Sequence, residues 1–231
     1  MTEQLALNLP VEVDFSPEAY ICSPANQDAR SALQRWRDWP NHRMALIGPE
    51  GSGKSHLVHI WAKQAKAHIC RGDELETRLE RLPSGAALVV EGLDGCLPEQ
   101  ALFHAINRAS EDDISALLLT GRASPAQWTA HLPDLVSRLR ATPLVSLHEP
   151  DDDLLSGLMQ KHLQDRRAPV KPGVIEYLLP RMNRSVAAAR AVVERMDKLA
   201  LVKQTPITRS IAREVLEAWS QSECEDDLPS S

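Results

Sequence analysis

A parallel α/β sheet covered on both faces, followed by a small all-helical unit, is the architecture the sequence predicts, and three observations predict it. The first is Gly48-Pro49-Glu50-Gly51-Ser52-Gly53-Lys54-Ser55, which matches the phosphate-binding loop G-x-x-x-x-G-K-[ST] at every fixed position. The second is the alternation of five apolar runs of strand length with helical stretches, which implies parallel strands joined by helices. The third is Glu149-Pro150-Asp151-Asp152-Asp153, after which only helical segments follow. The 231 residues then divide into an N-terminal peptide over 1–12, an α/β core over 13–150, a helical domain over 151–220 and an acidic tail over 221–231 expected to be disordered.

In chain order, Gln4-Leu5-Ala6-Leu7-Asn8-Leu9-Pro10 comes first. Leucines at every second position, with Pro10 as a stop, suit an extended peptide that lays one row of side chains in a pocket of another protein. The same pattern equally suits an edge strand of the domain itself. Three buried leucines contribute about 1.5–3 kcal/mol each, against roughly 1 kcal/mol or more per residue for ordering the backbone, so about micromolar affinity is expected. Ser23-Pro24 leads into a helix over Asn26 to Arg37, with Trp36 and Trp39 as core or rim aromatics. Met44 to Ile47 is the first strand and His56 to Ala65 the helix after the phosphate loop. In that strand-loop-helix setting the glycines let backbone N–H groups and a helix N-terminus face an anion. Lys54 then reaches the terminal phosphates, and the Ser55 hydroxyl holds Mg²⁺. His56 and His59 are neighbours on that helix; with no third ligand in view, they are not expected to form a metal site.

Ala67 to Cys70 is the second strand and Asp73 to Leu82 a helix with charged faces. Ala86 to Val90 is a buried strand running into Glu91, where phosphate-loop enzymes place a Mg²⁺-holding acid. The next residue, Gly92, can neither hold a metal nor position a water, and Asp94 suits a substitute and a helix cap equally. Such a site binds nucleotide with its hydrolytic set incomplete. Ser115 to Thr120 is the fourth strand, Leu132 to Arg140 a helix with two arginines near its end, and Thr142 to Leu147 the fifth strand. Helices over 154–166, 172–181, 185–201 and 208–219 follow.

The net charge of −6, with acids dispersed along the chain, argues against a direct grip on nucleic-acid phosphates, so that contact with DNA is expected only indirectly. No run of 18 apolar residues and no basic N-terminal region before an apolar stretch occurs, so neither a membrane span nor a secretion signal is read, and a cytoplasmic location is expected. Cys22, Cys70, Cys96 and Cys224 lie far apart and are expected to be free thiols.

From about Gln4 to Trp219 the chain resembles AAA+ proteins of the DnaA-related group. Gln4-Leu5-Ala6-Leu7-Asn8-Leu9 resembles the sliding-clamp-binding peptide of the short regulatory members, and Ser23-Pro24-Ala25-Asn26 with Ala29 the segment packed near the adenine base. Lys54-Ser55-His56-Leu57-Val58-His59 is similar to the family's Gly-Lys-[ST]-His-Leu-Leu-His. Leu118-Leu119-Thr120-Gly121 followed by Ser124-Pro125 resembles the sensor strand, and Leu132-Pro133-Asp134-Leu135-Val136-Ser137-Arg138-Leu139 the segment bearing the arginine finger. The resemblance implies an AAA+ core with a helical lid and a nucleotide site built from Asn26, Gly48, Pro49, Glu50, Gly51, Ser52, Gly53, Lys54, Ser55 and His56. ADP or ATP is the implied ligand, with Mg²⁺ at Ser55 and Glu91. Arg138 is the implied finger, offered to a nucleotide on a neighbouring subunit. Spacing alone reads it as an arginine satisfying helix C-terminal carbonyls. Gln4, Leu5, Leu7 and Leu9 are the implied contacts with the β subunit of the DNA polymerase III sliding clamp, with DnaA as the second partner and self-association open.

Departures shape the expectation further. Initiators of the group have two acids where this chain has Glu91 and Gly92, and an Asp in the sensor strand where it has Arg122. The second-sensor arginine falls on Ala187, with Arg184 or Arg190 available by a shift. The chain also ends where an initiator continues into a helix-turn-helix domain. What the resemblance implies is therefore an ADP-holding negative regulator of replication initiation that stimulates hydrolysis of DnaA-bound ATP. An adaptor that recruits or loads DnaA, and a free-standing P-loop ATPase or small-molecule kinase, are the alternatives.

Overall fold

The structure, a computed structural model, describes residues 20–95 and 97–226. The leucine peptide with Gln4, Leu5, Leu7 and Leu9 lies outside the described residues. Five strands, β1 (Arg43–Ile47), β2 (His68–Arg71), β3 (Ala87–Glu91), β4 (Ala116–Gly121) and β5 (Leu144–Ser146), form one sheet in the order β2-β3-β4-β1-β5. Every pairing in it is parallel.

Strand side chains alternate between two faces, and the sequence fills both with apolar residues. Met44, Leu46, Val89 and Leu118 pack with Leu33, Leu57, Val58 and Trp61 of α1 (Pro24–Gln34) and α2 (Lys54–Ala65). Ala45, Leu88, Val90, Leu117 and Leu119 pack on the other side against Leu79, Leu102, Ile106, Leu135 and Leu139. Those residues come from α3 (Leu75–Glu80), α4 (Glu99–Ser110) and α5 (Pro133–Arg140). Beyond the sheet, α6 (Asp152–Asp165), α7 (Val174–Leu178), α8 (Val186–Lys203) and α9 (Arg209–Asp226) enclose their own core, with Leu155, Met159, Leu178, Val193, Met196 and Ile211 at its centre. Among the described residues no helix is long and apolar enough to cross a membrane.

The boundaries depart from the sequence reading where caps intervene. Ser23 and Asn26 cap each other's backbone reciprocally, so α1 starts at Pro24, and it yields to a single 3₁₀ turn at Trp36–Asp38. Trp39 is core, stacked on Trp61 at 5.2 Å between ring centroids, while Trp36 meets Trp61 edge-on. Gly53 caps α2, which brings Lys54 and Ser55 inside the helix. A 3₁₀ turn over Gly72–Glu74 replaces the start of the charged helix expected at Asp73. Pro180 follows the short α7 closely, as a residue that cannot continue the helical ladder. Helix α4 is an element the sequence reading passes over. The tail expected to be disordered from residue 221 is helical as far as Asp226; neither glycine nor proline occurs between Pro206 and Pro229 to stop it.

Candidate functional site

The carboxyl ends of β1, β3 and β4 open side by side, and in parallel α/β sheets the loops leaving these ends form the ligand crevice. Gly48 turns out of β1 with its N–H bonded to Gly121 O at 3.2 Å, and a Cβ added to it would meet Leu147 O at 2.6 Å. Gly53, with φ +93°, is the left-handed residue that starts α2, and no side chain caps that start. The first N–H groups of α2 therefore have no side-chain acceptor. Ser52 is buried, and its Oγ has no hydrogen-bond partner among the described residues. Lys54 Nζ folds back to donate to Gly48 O at 2.6 Å and Pro49 O at 2.8 Å. Burial holds its ammonium below the ordinary pKa, with Asp94 pulling the value up and Arg122 pushing it down. An uncapped helix start, a buried unpartnered hydroxyl and a lysine satisfied only by carbonyls fit the phosphates of a nucleotide.

The cleft in front of this loop has a volume of about 750 Å³, within the range of small-molecule sites. Glu50, Gly51, Gly53, Lys54, Ser55 and His56 line it, and Glu91 faces them from the end of β3. Gly48, Pro49 and Ser52 belong to the same loop and are not among the residues that line the cleft. Ser55 and Glu91 bring a hydroxyl and a carboxylate to the same cleft, a donor pair suited to Mg²⁺, which keeps several of its waters. Among the described residues no group of three or more histidines, cysteines, aspartates or glutamates is placed to hold a metal.

Two expected residues stand elsewhere. Asn26 is buried in the α1 cap, its Oδ1 accepting from Ser23 N–H at 3.1 Å and its Nδ2 donating to Ile21 O at 2.9 Å. Its amide pins the segment at Tyr20 and Ile21, whose tyrosine ring meets His56 edge-on at 5.2 Å and whose isoleucine approaches Gly157 of α6. Arg138 lies on α5 outside the cleft, half-buried, with its guanidinium carbon 5.2 Å from the Phe103 ring centroid.

Arg71 and Glu194 escape the sequence reading because they arrive from a strand end and from the helical domain, where they join Thr120 and Arg122 of the sensor strand segment. Arg71 closes β2, Thr120 accepts from Gly92 N–H at 3.3 Å, and Glu194 projects from α8. Arg122 Nη2 lies 2.8 Å from Glu50 Oε2, and its backbone N–H donates to Asp94 Oδ1. Of the two second-sensor alternatives, Arg190 lines the cleft beside Ala187, whereas Arg184 turns away to Asp152 at 2.8 Å and Pro150 O at 3.2 Å. The helical domain touches the loop directly, Val186 N–H donating to Gly51 O at 3.0 Å.

No family model matches the chain. Domain III of the Thermotoga maritima replication initiation protein DnaA superposes on it with a TM-score of 0.72 at 14% identity, over 91% of this chain and 98% of that one. The fold is that of an AAA+ P-loop NTPase. A replication initiator DnaA bound to AMPPCP and single-stranded DNA has the same AAA+ architecture, with a TM-score of 0.64, 20% identity, and coverage of 91% of this chain and 70% of its own. The Thermotoga maritima RuvB Holliday junction branch migration motor does too, with a TM-score of 0.64 and 18% identity over 84% and 66% of the two chains.

Proposed function

We propose that this AAA+ protein is a negative regulator of replication initiation, of the type that Hda represents, which holds ADP and stimulates hydrolysis of ATP bound to DnaA. The observation that supports the reading is the separation of a holding site from an arginine that lies outside it. The cleft contains Lys54 and Ser55 but a glycine beside Glu91, while Arg138 stands on α5 outside that cleft.

Bound ADP supplies the phosphate anion that the loop is shaped to receive. Lys54 exchanges its two carbonyl partners for phosphate oxygens, and Ser55 with Glu91 holds Mg²⁺. Gly92 stands where a second acid would orient a water, and Asp94, which also lines the cleft, is engaged by the Arg122 N–H, which suits retention of nucleotide rather than turnover. Arg138 is then the cation offered to the ATP of a neighbouring DnaA. Residues 4–9 dock on the β subunit of the sliding clamp, and clamp left on replicated DNA raises the local concentration of the protein there. Contact with DNA is indirect in this scheme.

The test follows hydrolysis of ATP preloaded on DnaA in the presence of this protein, ADP and clamp loaded on DNA, with each component omitted in turn. Acceleration requiring both the protein and the clamp is the expected result. Arginine fingers supplied in trans are worth about 10³ to 10⁵ in rate, so Arg138→Ala should abolish the stimulation, with ADP binding as the check on folding. Full stimulation by that variant overturns the finger. Steady ATP turnover by the protein alone would instead make it a free-standing ATPase.

A further inference from the structure

Glu50 brings a carboxylate to the rim of a phosphate cradle. Its carboxylate carries the same sign of charge as the ligand the loop suits, and its side chain is 79% exposed at the rim, 2.8 Å from Arg122. Arg122 follows β4 directly and lines the same cleft as Lys54. Its backbone is anchored by the N–H bond to Asp94, whose second carboxylate oxygen lies 4.0 Å from its Nε. The guanidinium end, on a side chain that is 62% exposed, can turn while that anchor holds. An exposed ion pair is easily given up, whereas a phosphate takes a guanidinium in a two-bond fork. Arg122 thus has two competing anions within its range, one built into the loop and one arriving with the ligand.

We propose that Glu50 is an internal competitor for Arg122, so that Arg122 exchanges this carboxylate for the terminal phosphate of a nucleoside triphosphate and the pair sets how far the cleft favours diphosphate over triphosphate. The inference rests on the cleft being a nucleotide site. With a diphosphate, Lys54 is the engaged cation and Arg122 keeps Glu50. With a triphosphate, Arg122 must leave Glu50, and that cost offsets part of the gain from the added phosphate. Glu50 therefore tilts the site toward ADP without touching it.

The experiment measures dissociation constants of ADP and of the non-hydrolysable triphosphate AMPPNP, with Mg²⁺, for the wild-type protein and for Arg122→Ala, Glu50→Gln and Lys54→Ala. Arg122→Ala should weaken AMPPNP about tenfold while ADP changes less than about twofold, the size of one charged hydrogen-bonding group. Glu50→Gln should tighten AMPPNP by about two- to fivefold, the worth of an exposed ion pair, with ADP again nearly constant. Glu50 is at the surface, so this second variant keeps the test intact if Arg122→Ala fails to fold. Equal changes for both ligands, or no gain from Glu50→Gln, overturn the proposal. Wild-type binding that Lys54→Ala abolishes upholds the nucleotide site even in that event, whereas a wild-type protein that binds neither ligand overturns the site and the competitor together.

Discussion

A methyl group is missing at Gly51, and two domains meet in the space. The residue has φ +73°, and a Cβ there would lie 2.4 Å from the Cβ of Ser185, the cap of α8. Gly51→Ala should therefore cost about 1–3 kcal/mol through left-handed strain and overpacking, and should weaken ADP binding as well. Denaturant unfolding and an ADP titration check both; a loss of stability with unchanged ADP affinity would uncouple the contact from the site. Arg43 is a second sensitive position, buried at 4% exposure and hydrogen-bonded to two hydroxyls, Thr142 Oγ1 at 3.2 Å and Ser110 Oγ at 3.0 Å. Burial holds its pKa below the ordinary value, and Arg138 adds to the depression. Arg43→Ala should cost about 2 kcal/mol or more by leaving a cavity, and Arg43→Met distinctly less, because the chain volume stays while the buried charge goes. At this scale the phosphate loop was legible because its four fixed residues fall within the eight positions from Gly48 to Ser55. The Glu50–Arg122 pair was not, since it exists only once β4 lies beside β1.

Helix α5 is held at its start by another helix. Glu99, the first residue of α4, accepts from the N–H groups of His131 and Leu132 at 2.9 and 2.8 Å and from His131 Nδ1 at 2.9 Å. These bonds, the His131 side chain first, hold the Glu99 carboxyl below its ordinary 4.5. A carboxylate whose pKa is depressed by folding adds stability above its unfolded pKa, and that contribution is lost as pH falls through the folded value. Melting temperature should accordingly fall on acidification below about pH 4.5, and Glu99→Gln should flatten part of that fall; an unchanged acid limb would show that the cap is not coupled to folding. Because α5 carries Arg138, the same variant tests whether the helix start must be fixed for the stimulation of DnaA proposed above. The pattern of α4 itself was present in the sequence, with Leu102, Ala105, Ile106 and Ala109 at helical spacing and all buried. Other boundaries moved because capping decides them, as at Ser23 with Asn26, and propensity does not see reciprocal bonds.

For the molecule as a whole, the sequence announced a parallel sheet and a helical unit but not the strand order β2-β3-β4-β1-β5, which depends on which crossover skips which strand. That order brings Glu91, Thr120 and Arg122 to the loop after β1, and the helical domain adds Val186 and Arg190. Since both domains contribute walls, ADP at a hundred times its dissociation constant should stabilise the protein by about 2.7 kcal/mol and raise the melting of core and lid together. Calorimetry showing only one of two transitions moving would contradict this. The bond from Val186 to Gly51 O has a wider consequence. It ties the start of α8 to the phosphate loop, and coupling between two binding events is reciprocal. Any protein that grips the lid in one preferred orientation must change the affinity for nucleotide, and nucleotide must change the grip of that protein by the same factor. A partner could thus read the contents of the cleft without ever reaching into it.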